Sequence, residues 1–220
     1  MTAVTIAGQV AAMADTPARQ APGEAMGVFA RGQAELAAGG IPDGVIASGA
    51  LLPDAGLFDP PGTPGMLQDA IGDQRAVVVL YRGAWCPCCA ITLRTYQFEL
   101  LPELTRRRAA LVAISSQRPD GSLTMRQKHE LTFTVLSDPG NQVARAAGVL
   151  SAPTTQARAA QLQLGLDLTR VNADGTAGIP MPTTMITDTD HIVGWVDVHP
   201  DYTTRSEPAQ ILAALDGASR

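Results

Sequence analysis

The chain has 220 residues, a formal net charge of −5, 45% hydrophobic residues and only 4% aromatic ones. That length suits one ample domain with a real core, and the acidic balance, with no basic stripe, argues against nucleic acid as a partner. No apolar run approaches the ~18 residues of a membrane span, and the start lacks a basic segment followed by an apolar one. A cytoplasmic location, with cysteines kept reduced between turnovers, is the expectation that follows.

Residues 1–40 are rich in Ala, Gly and Gln. Within them Val28 to Ala38 reads as a helix stopped by Gly39-Gly40. Residues 41–66 carry many Pro, Gly and Asp residues and read as loops around a short strand or hairpin. We place an N-terminal helical and loop extension over 1–44 and a single domain over 45–220. The run Ala76-Val77-Val78-Val79-Leu80 is a buried strand continuing to Tyr81. A helix over about 87–107 follows, with Leu93, Tyr96 or Gln97, Leu100, Leu101 and Leu104 at helical intervals. Its end carries Arg106-Arg107-Arg108, which complements the helix dipole. Ala110 to Ile114 is a second strand, Ser122 to Glu130 a helix and Phe133 to Leu136 a third strand. Asp138-Pro139-Gly140 turns into a short helix, Gln142 to Ala147, ended by Gly148. Ala157 to Leu166 reads as helical and Asn172 to Gly175 as a turn. Met185 to Thr187 and Ile192 to Val198 read as a strand pair, and Glu207 to Leu215 as the closing helix. The sum is an α/β plan with a central mixed sheet flanked by helices.

All three cysteines lie in Trp85-Cys86-Pro87-Cys88-Cys89, directly after the first strong strand. Cys86 and Cys89 have Cys-x-x-Cys spacing, a pattern of thiol–disulfide active sites. Pro87 suits the first helical position, where its missing N–H costs nothing. Cys86 is then the N-cap and Cys89 a residue of the first turn. Both sulfurs lie beside unpaired backbone N–H groups and the positive end of the dipole, which favours thiolates. Residues three apart on one turn also come within disulfide reach. Zinc needs about four ligands spread around a tetrahedron. Three crowded cysteines and three distant histidines suit it poorly, so no metal and no cofactor are expected. Cys88 is read as a small packed apolar residue, since a bridge to its neighbour Cys89 would be strained. His129, His191 and His199 read as structural or exposed.

Tyr81-Arg82-Gly83-Ala84-Trp85-Cys86-Pro87-x-Cys89, Leu136-Ser137-Asp138-Pro139-Gly140-Asn141, Met181-Pro182-Thr183-Thr184 and His199-Pro200-Asp201-Tyr202 occur in this order. Together they resemble the peroxiredoxin-like (alkyl hydroperoxide reductase/thiol-specific antioxidant) branch of the thioredoxin superfamily, over about 45–216. The resemblance implies a thioredoxin-like fold. Aligned on Pro-x-x-x-Thr-x-x-Cys, it gives Cys89 the peroxide-attacking role. Cys86 then stands at the Thr position and Arg82 at the Pro position. Pro182 stands where these enzymes bring an arginine and where thioredoxins have a cis-proline.

Three activities follow as alternatives. In a hydroperoxide reductase Cys89 attacks and Cys86 resolves. In a thioredoxin-like disulfide reductase Cys86 attacks, and a cis Met181–Pro182 peptide exposes the Met181 backbone to an extended substrate. In a third case the fold binds or transforms a specialised metabolite. Cys86 and Cys89 are the expected catalytic residues, supported by Arg82, Trp85, Pro87, Met181, Pro182 and Thr183. Arg82 is the candidate replacement for the missing cation. The expected partners are a hydroperoxide or disulfide substrate and an external thiol reductant such as a thioredoxin-type donor, in a chain that can form a homodimer.

Overall fold

The computed structural model describes residues 5–14 and 23–217. At its centre is β3 (Arg75–Leu80), in which every residue from Ala76 to Leu80 is at most 3% exposed. An unbroken apolar run of this kind marks a strand covered on both faces. β4 (Ala109–Ser115) lies parallel to it on one side and β8 (Thr183–Thr187) antiparallel on the other. β5 (Thr134–Ser137) extends the parallel part, and β9 (Val193–Val198) pairs antiparallel with β8. A hairpin of β1 (Gly56–Phe58) and β2 (Pro64–Met66) completes a seven-stranded mixed sheet in the order β2-β1-β5-β4-β3-β8-β9. The α/β plan with helices on both faces is therefore the observed architecture.

Alternation along β3 builds the two layers. Val77, Val79 and Tyr81 face α1 (Ile6–Ala14), α4 (Pro87–Thr95) and α10 (Pro208–Gly217). Ala76, Val78 and Leu80 face α3 (Leu67–Ile71) and α7 (Gln142–Ala146). The helix expected over 87–107 consists of α4, a π turn at Tyr96–Leu100, and α5 (Leu101–Arg106). Pro102 explains the irregularity. It has no N–H to give the preceding turn, and the widened turn just ahead absorbs the mismatch. Of the basic run at its end, Arg106 pairs with Glu103, and Arg107 pairs with Glu103 at 2.7 Å and with Asp216 of α10 at 2.9 Å. α6 (Pro119–Lys128) starts three residues before the expected Ser122, with Pro119 near its first position.

Three features go beyond the sequence reading. α1 is a helix whose Ile6 and Val10 enter the core. Its first N–H groups are held from across the molecule, since both Glu207 carboxylate oxygens accept from Ile6 and Ala7 at 2.9 Å. α2 (Gly23–Gly39) begins five residues before Val28 and ends, as expected, at the Gly39-Gly40 pair. It packs against α8 (Thr155–Gln163), where the Thr154 hydroxyl caps the N–H of Ala157 at 3.1 Å. A two-stranded ribbon of β6 (Leu150–Ser151) and β7 (Ile179–Pro180), with the short α9 (Leu168–Val171) between, accounts for the stretch 151–178.

The Glu207 cap generates a stability prediction. Glu207→Ala leaves two N–H groups of α1 without this acceptor, at a cost of about 1 kcal/mol. The denaturant midpoint should fall, and native-state proteolysis should cut first around α1. An unchanged midpoint with unchanged protection would refute the contribution of this cap.

Candidate active site

β3 delivers a tight loop to the start of α4. Tyr81 N–H is held by the Ile114 carbonyl at 2.9 Å, the Cys86 N–H donates to Gly83 at 3.1 Å, and the Ala84 N–H donates to the Gln117 side chain. Gly83 sits at φ +144, and a Cβ there would meet the Trp85 indole nitrogen at 2.5 Å and the Gln117 amide at 2.9 Å. Glycine is required on both counts. Cys86 is the extended N-cap and Pro87 the first helical residue, so Cys88 and Cys89 occupy the first turn. This is the arrangement the spacing predicts.

The three thiols are free, and they are 2%, 7% and 0% exposed for Cys86, Cys88 and Cys89. Cys86 makes side-chain hydrogen-bonding contact with both others. That contact lowers the Cys88 pKa to about 7, with Arg205 and Arg82 assisting against the cost of burial. The Cys89 thiol is pushed up, first by burial and then by the neighbouring Cys86. Cys88 is thus buried as a small apolar residue would be, yet its pKa is lowered where that of Cys89 is raised.

The cation in contact with sulfur is Arg205. Its Nη2 lies 3.3 Å from Cys89 Sγ, and its Nη1 donates to the carbonyls of Tyr202 at 2.6 Å and Thr204 at 2.5 Å. The loop carrying it is clamped. His199 bonds to Thr204 at 2.8 Å and to Asp197 at 3.0 Å, and Ser206 bonds to Asp197 at 2.8 Å. From α4's π turn, the Tyr96 hydroxyl donates to the Ser206 carbonyl at 2.6 Å. His199 is therefore structural, as read. Sequence reasoning missed Arg205. One signal was available: it is the only Lys or Arg between Val171 and Ser219, and it follows His199-Pro200-Asp201-Tyr202 closely.

Arg82, the expected cation, is 8% exposed. Its guanidinium lies 3.9 Å from the Tyr202 ring centre and 5.0 Å from that of Trp85. It acts on Cys88 and Cys89 through space rather than by contact. Trp85 is thus a stacking partner of Arg82.

The expectation for Pro182 needs correction. No cis peptide occurs among the described residues, so Met181–Pro182 is trans. Nor is the Met181 backbone open to a substrate strand. Its N–H donates to the Val149 carbonyl at 2.8 Å and its carbonyl accepts from the Thr183 hydroxyl at 2.9 Å. Pro182 O accepts from His199 N at 2.8 Å. The β6–β7 ribbon has taken the hydrogen bonds that an extended peptide would need. Among the described residues no His, Cys, Asp and Glu side chains gather to hold a metal, and no helix is long and apolar enough to cross a membrane.

Residues 49–196 match the model of the AhpC/TSA family. Solved structures with the same fold include peroxidoxin BcpB from Mycobacterium tuberculosis, 22% identical, with a TM-score of 0.59 over 79% of this chain and 97% of the other. A peroxiredoxin-like protein from Aquifex aeolicus is 14% identical, with a TM-score of 0.62 over 79% and 88%. Reduced Prx3 from Vibrio vulnificus, in complex with hydrogen peroxide, is 18% identical, with a TM-score of 0.61 over 78% and 99%. The search of curated proteins finds no match. The matched span holds the three cysteines and stops short of Arg205. A thioredoxin-like sheet, thiols at a helix start and a family match over most of the chain lead to one conclusion: the chain belongs to the AhpC/TSA family of peroxiredoxin-like thiol oxidoreductases.

Proposed function

We propose that this protein is a thiol peroxidase that reduces hydroperoxides through Cys89 and Cys86. The observation that carries the reading is the Arg205 guanidinium 3.3 Å from Cys89 at the helix start. A cation so placed stabilises a thiolate and the developing charge of a breaking O–O bond. The thiol whose pKa is lowered is Cys88, whereas the guanidinium lies on Cys89. The Cys86 thiol links the two. Proton transfer from Cys89 to Cys86 and from Cys86 to Cys88 moves the charge to Cys89 with no net loss of protons.

Cys89 thiolate then attacks the terminal oxygen of ROOH. The O–O bond breaks, the leaving alkoxide takes a proton to become ROH, and Cys89 becomes a sulfenic acid. Cys86 attacks that sulfur, the S–O bond breaks, and water leaves as the Cys86–Cys89 disulfide forms. An external dithiol, of the thioredoxin type that the resemblance brings, returns two electrons and two protons. The homodimer comes with the same resemblance.

The disulfide reductase reading is less well supported. Cys86, its required nucleophile, is 2% exposed, and the Met181 backbone is already bonded. A small hydroperoxide reaches such a sulfur more readily than a protein disulfide does.

Two predictions follow from this scheme. Thiolate absorbance against pH should show a first step near 7, so peroxide reactivity is present above that pH and lost below it. Arg205→Gln removes a lowering charge and should move the step upward by about one unit, roughly tenfold in the acid constant. A step that stays in place would remove Arg205 from the site's electrostatics. In the cysteine series, Cys86→Ser should react once with peroxide and then over-oxidise at Cys89. Cys89→Ser should lose the rapid reaction, and Cys88→Ser should keep it with a pH profile shifted upward. Mass spectrometry after one equivalent of peroxide decides. Sulfenic acid building up on Cys86 or Cys88 of Cys89→Ser at the wild-type rate would reassign the nucleophile.

A further inference from the structure

Beside the thiols lies a cavity of about 410 Å³ that the mechanism does not use. Its volume falls in the range of small-molecule sites, about 300–1,000 Å³. One wall is α2 and the opposite wall is α8 with the β6–β7 ribbon, and Arg82, Pro182 and Tyr202 form its inner end. Arg82 is thus shared: it lines the cavity, and its charge helps hold down the Cys88 pKa. α2 lies outside the span matched by the family model.

The walls are mostly apolar, with Glu35, Arg82, Ser151, Thr154 and Tyr202 among the polar residues, and two further polar side chains, both glutamines, are left with an unpartnered oxygen. Gln161, 7% exposed, has a buried carbonyl oxygen with no hydrogen-bond partner. Gln33, facing it from α2, is in the same condition. The orientation of the Gln33 amide is fixed, because its nitrogen donates to Asp201 Oδ1, which also accepts from the backbone and hydroxyl of Thr203. The Gln33 oxygen is left as an acceptor. Buried polar groups are satisfied in nearly all folded proteins, so two unpartnered acceptors at one cavity mark a place for a donor. Among the described residues no carboxylate ion-pairs with Arg82. Its guanidinium lies over the Tyr202 and Trp85 rings, and the carboxylate of Glu35 lines the same cavity, so Arg82 does not require an acidic ligand.

We propose that this cavity binds the organic body of the substrate: an uncharged, mainly apolar molecule bearing a hydroxyl group that donates to Gln161 or Gln33. The assignment of the occupant as substrate rests on the peroxidase reading, whereas its binding does not. An alkyl or aromatic body held between α2 and α8 would bring a reducible group to Arg82 and the cysteines. Specificity would then reside partly in α2, the wall that the family match does not cover.

The test uses the reduced full chain and two probes of one shape, 2-phenylpropan-2-ol and isopropylbenzene, with binding followed by saturation-transfer NMR. Both should bind saturably, the alcohol more tightly. Gln161→Leu should weaken the alcohol about tenfold and leave the hydrocarbon unchanged. Ala157→Phe, which fills the cavity from α8, should abolish both, with near-ultraviolet circular dichroism checking that each variant is folded. Absence of saturable binding overturns the proposal, as does binding that neither substitution changes. A concentration-dependent dimer in light scattering, broken by Ala157→Phe and closed to both probes, would assign the cavity to a second copy and also overturn it. If probes bind as described but cumene hydroperoxide and hydrogen peroxide are not consumed, the cavity assignment stands and the peroxidase reading falls.

Discussion

The active end of this molecule depends on burying one guanidinium against three sulfurs. A charged side chain taken out of water costs several kcal/mol unless its donors are met. Arg205 meets that requirement with two backbone carbonyls of its own loop and the sulfur of Cys89. The loop in turn relies on His199, Asp197, Ser206 and the hydroxyl of Tyr96. Tyr96 belongs to the same helix that begins at the cysteines, so the group that positions the cation and the groups that receive its field share one rigid element. The π turn at Tyr96–Leu100 is part of this arrangement.

The cysteines show how one helix turn can assign different acidities to chemically equal groups. Cys88 and Cys89 share a helix start and two nearby arginines. They differ in burial, which is complete for Cys89 and raises it most, and in their relation to Cys86, which lowers one and raises the other. The lowered thiol and the guanidinium contact therefore sit on different sulfurs. A Cys-x-x-Cys pair alone does not contain this split, because the lowered thiol is the third cysteine.

Much of the fold was legible because the periodic runs were unambiguous. Ala76 to Leu80 could only be a fully buried strand, and the Leu93-to-Leu104 stripe only a helix packed on it. Pro87 and the cysteine spacing located the helix start. What was missed depended on distant partners. α1 is a helix because Ile6 and Val10 find the core and Glu207 caps it some 200 positions away in sequence. Arg205 drew no reading, since nothing local says that its loop folds back over Cys89. The Pro182 expectation failed for a related reason. A short ribbon made by residues 149–151 had claimed the backbone that the resemblance left free.

The proline that makes Pro87 a good first helical residue has a further effect on access. It brings no N–H, and the first turn is closed by the Ala90 N–H on the Cys86 carbonyl at 3.2 Å and by the Thr92 hydroxyl on the Cys88 carbonyl at 2.8 Å. All three sulfurs lie below the surface, so the protein reductant of the proposed cycle would need this end of the helix to open. Local openings of weakly tied termini cost far less than global unfolding. The helix end that holds the thiols is thus also the element that shelters them, and under the proposed cycle the ease with which it opens would bear on how readily a protein reductant meets them.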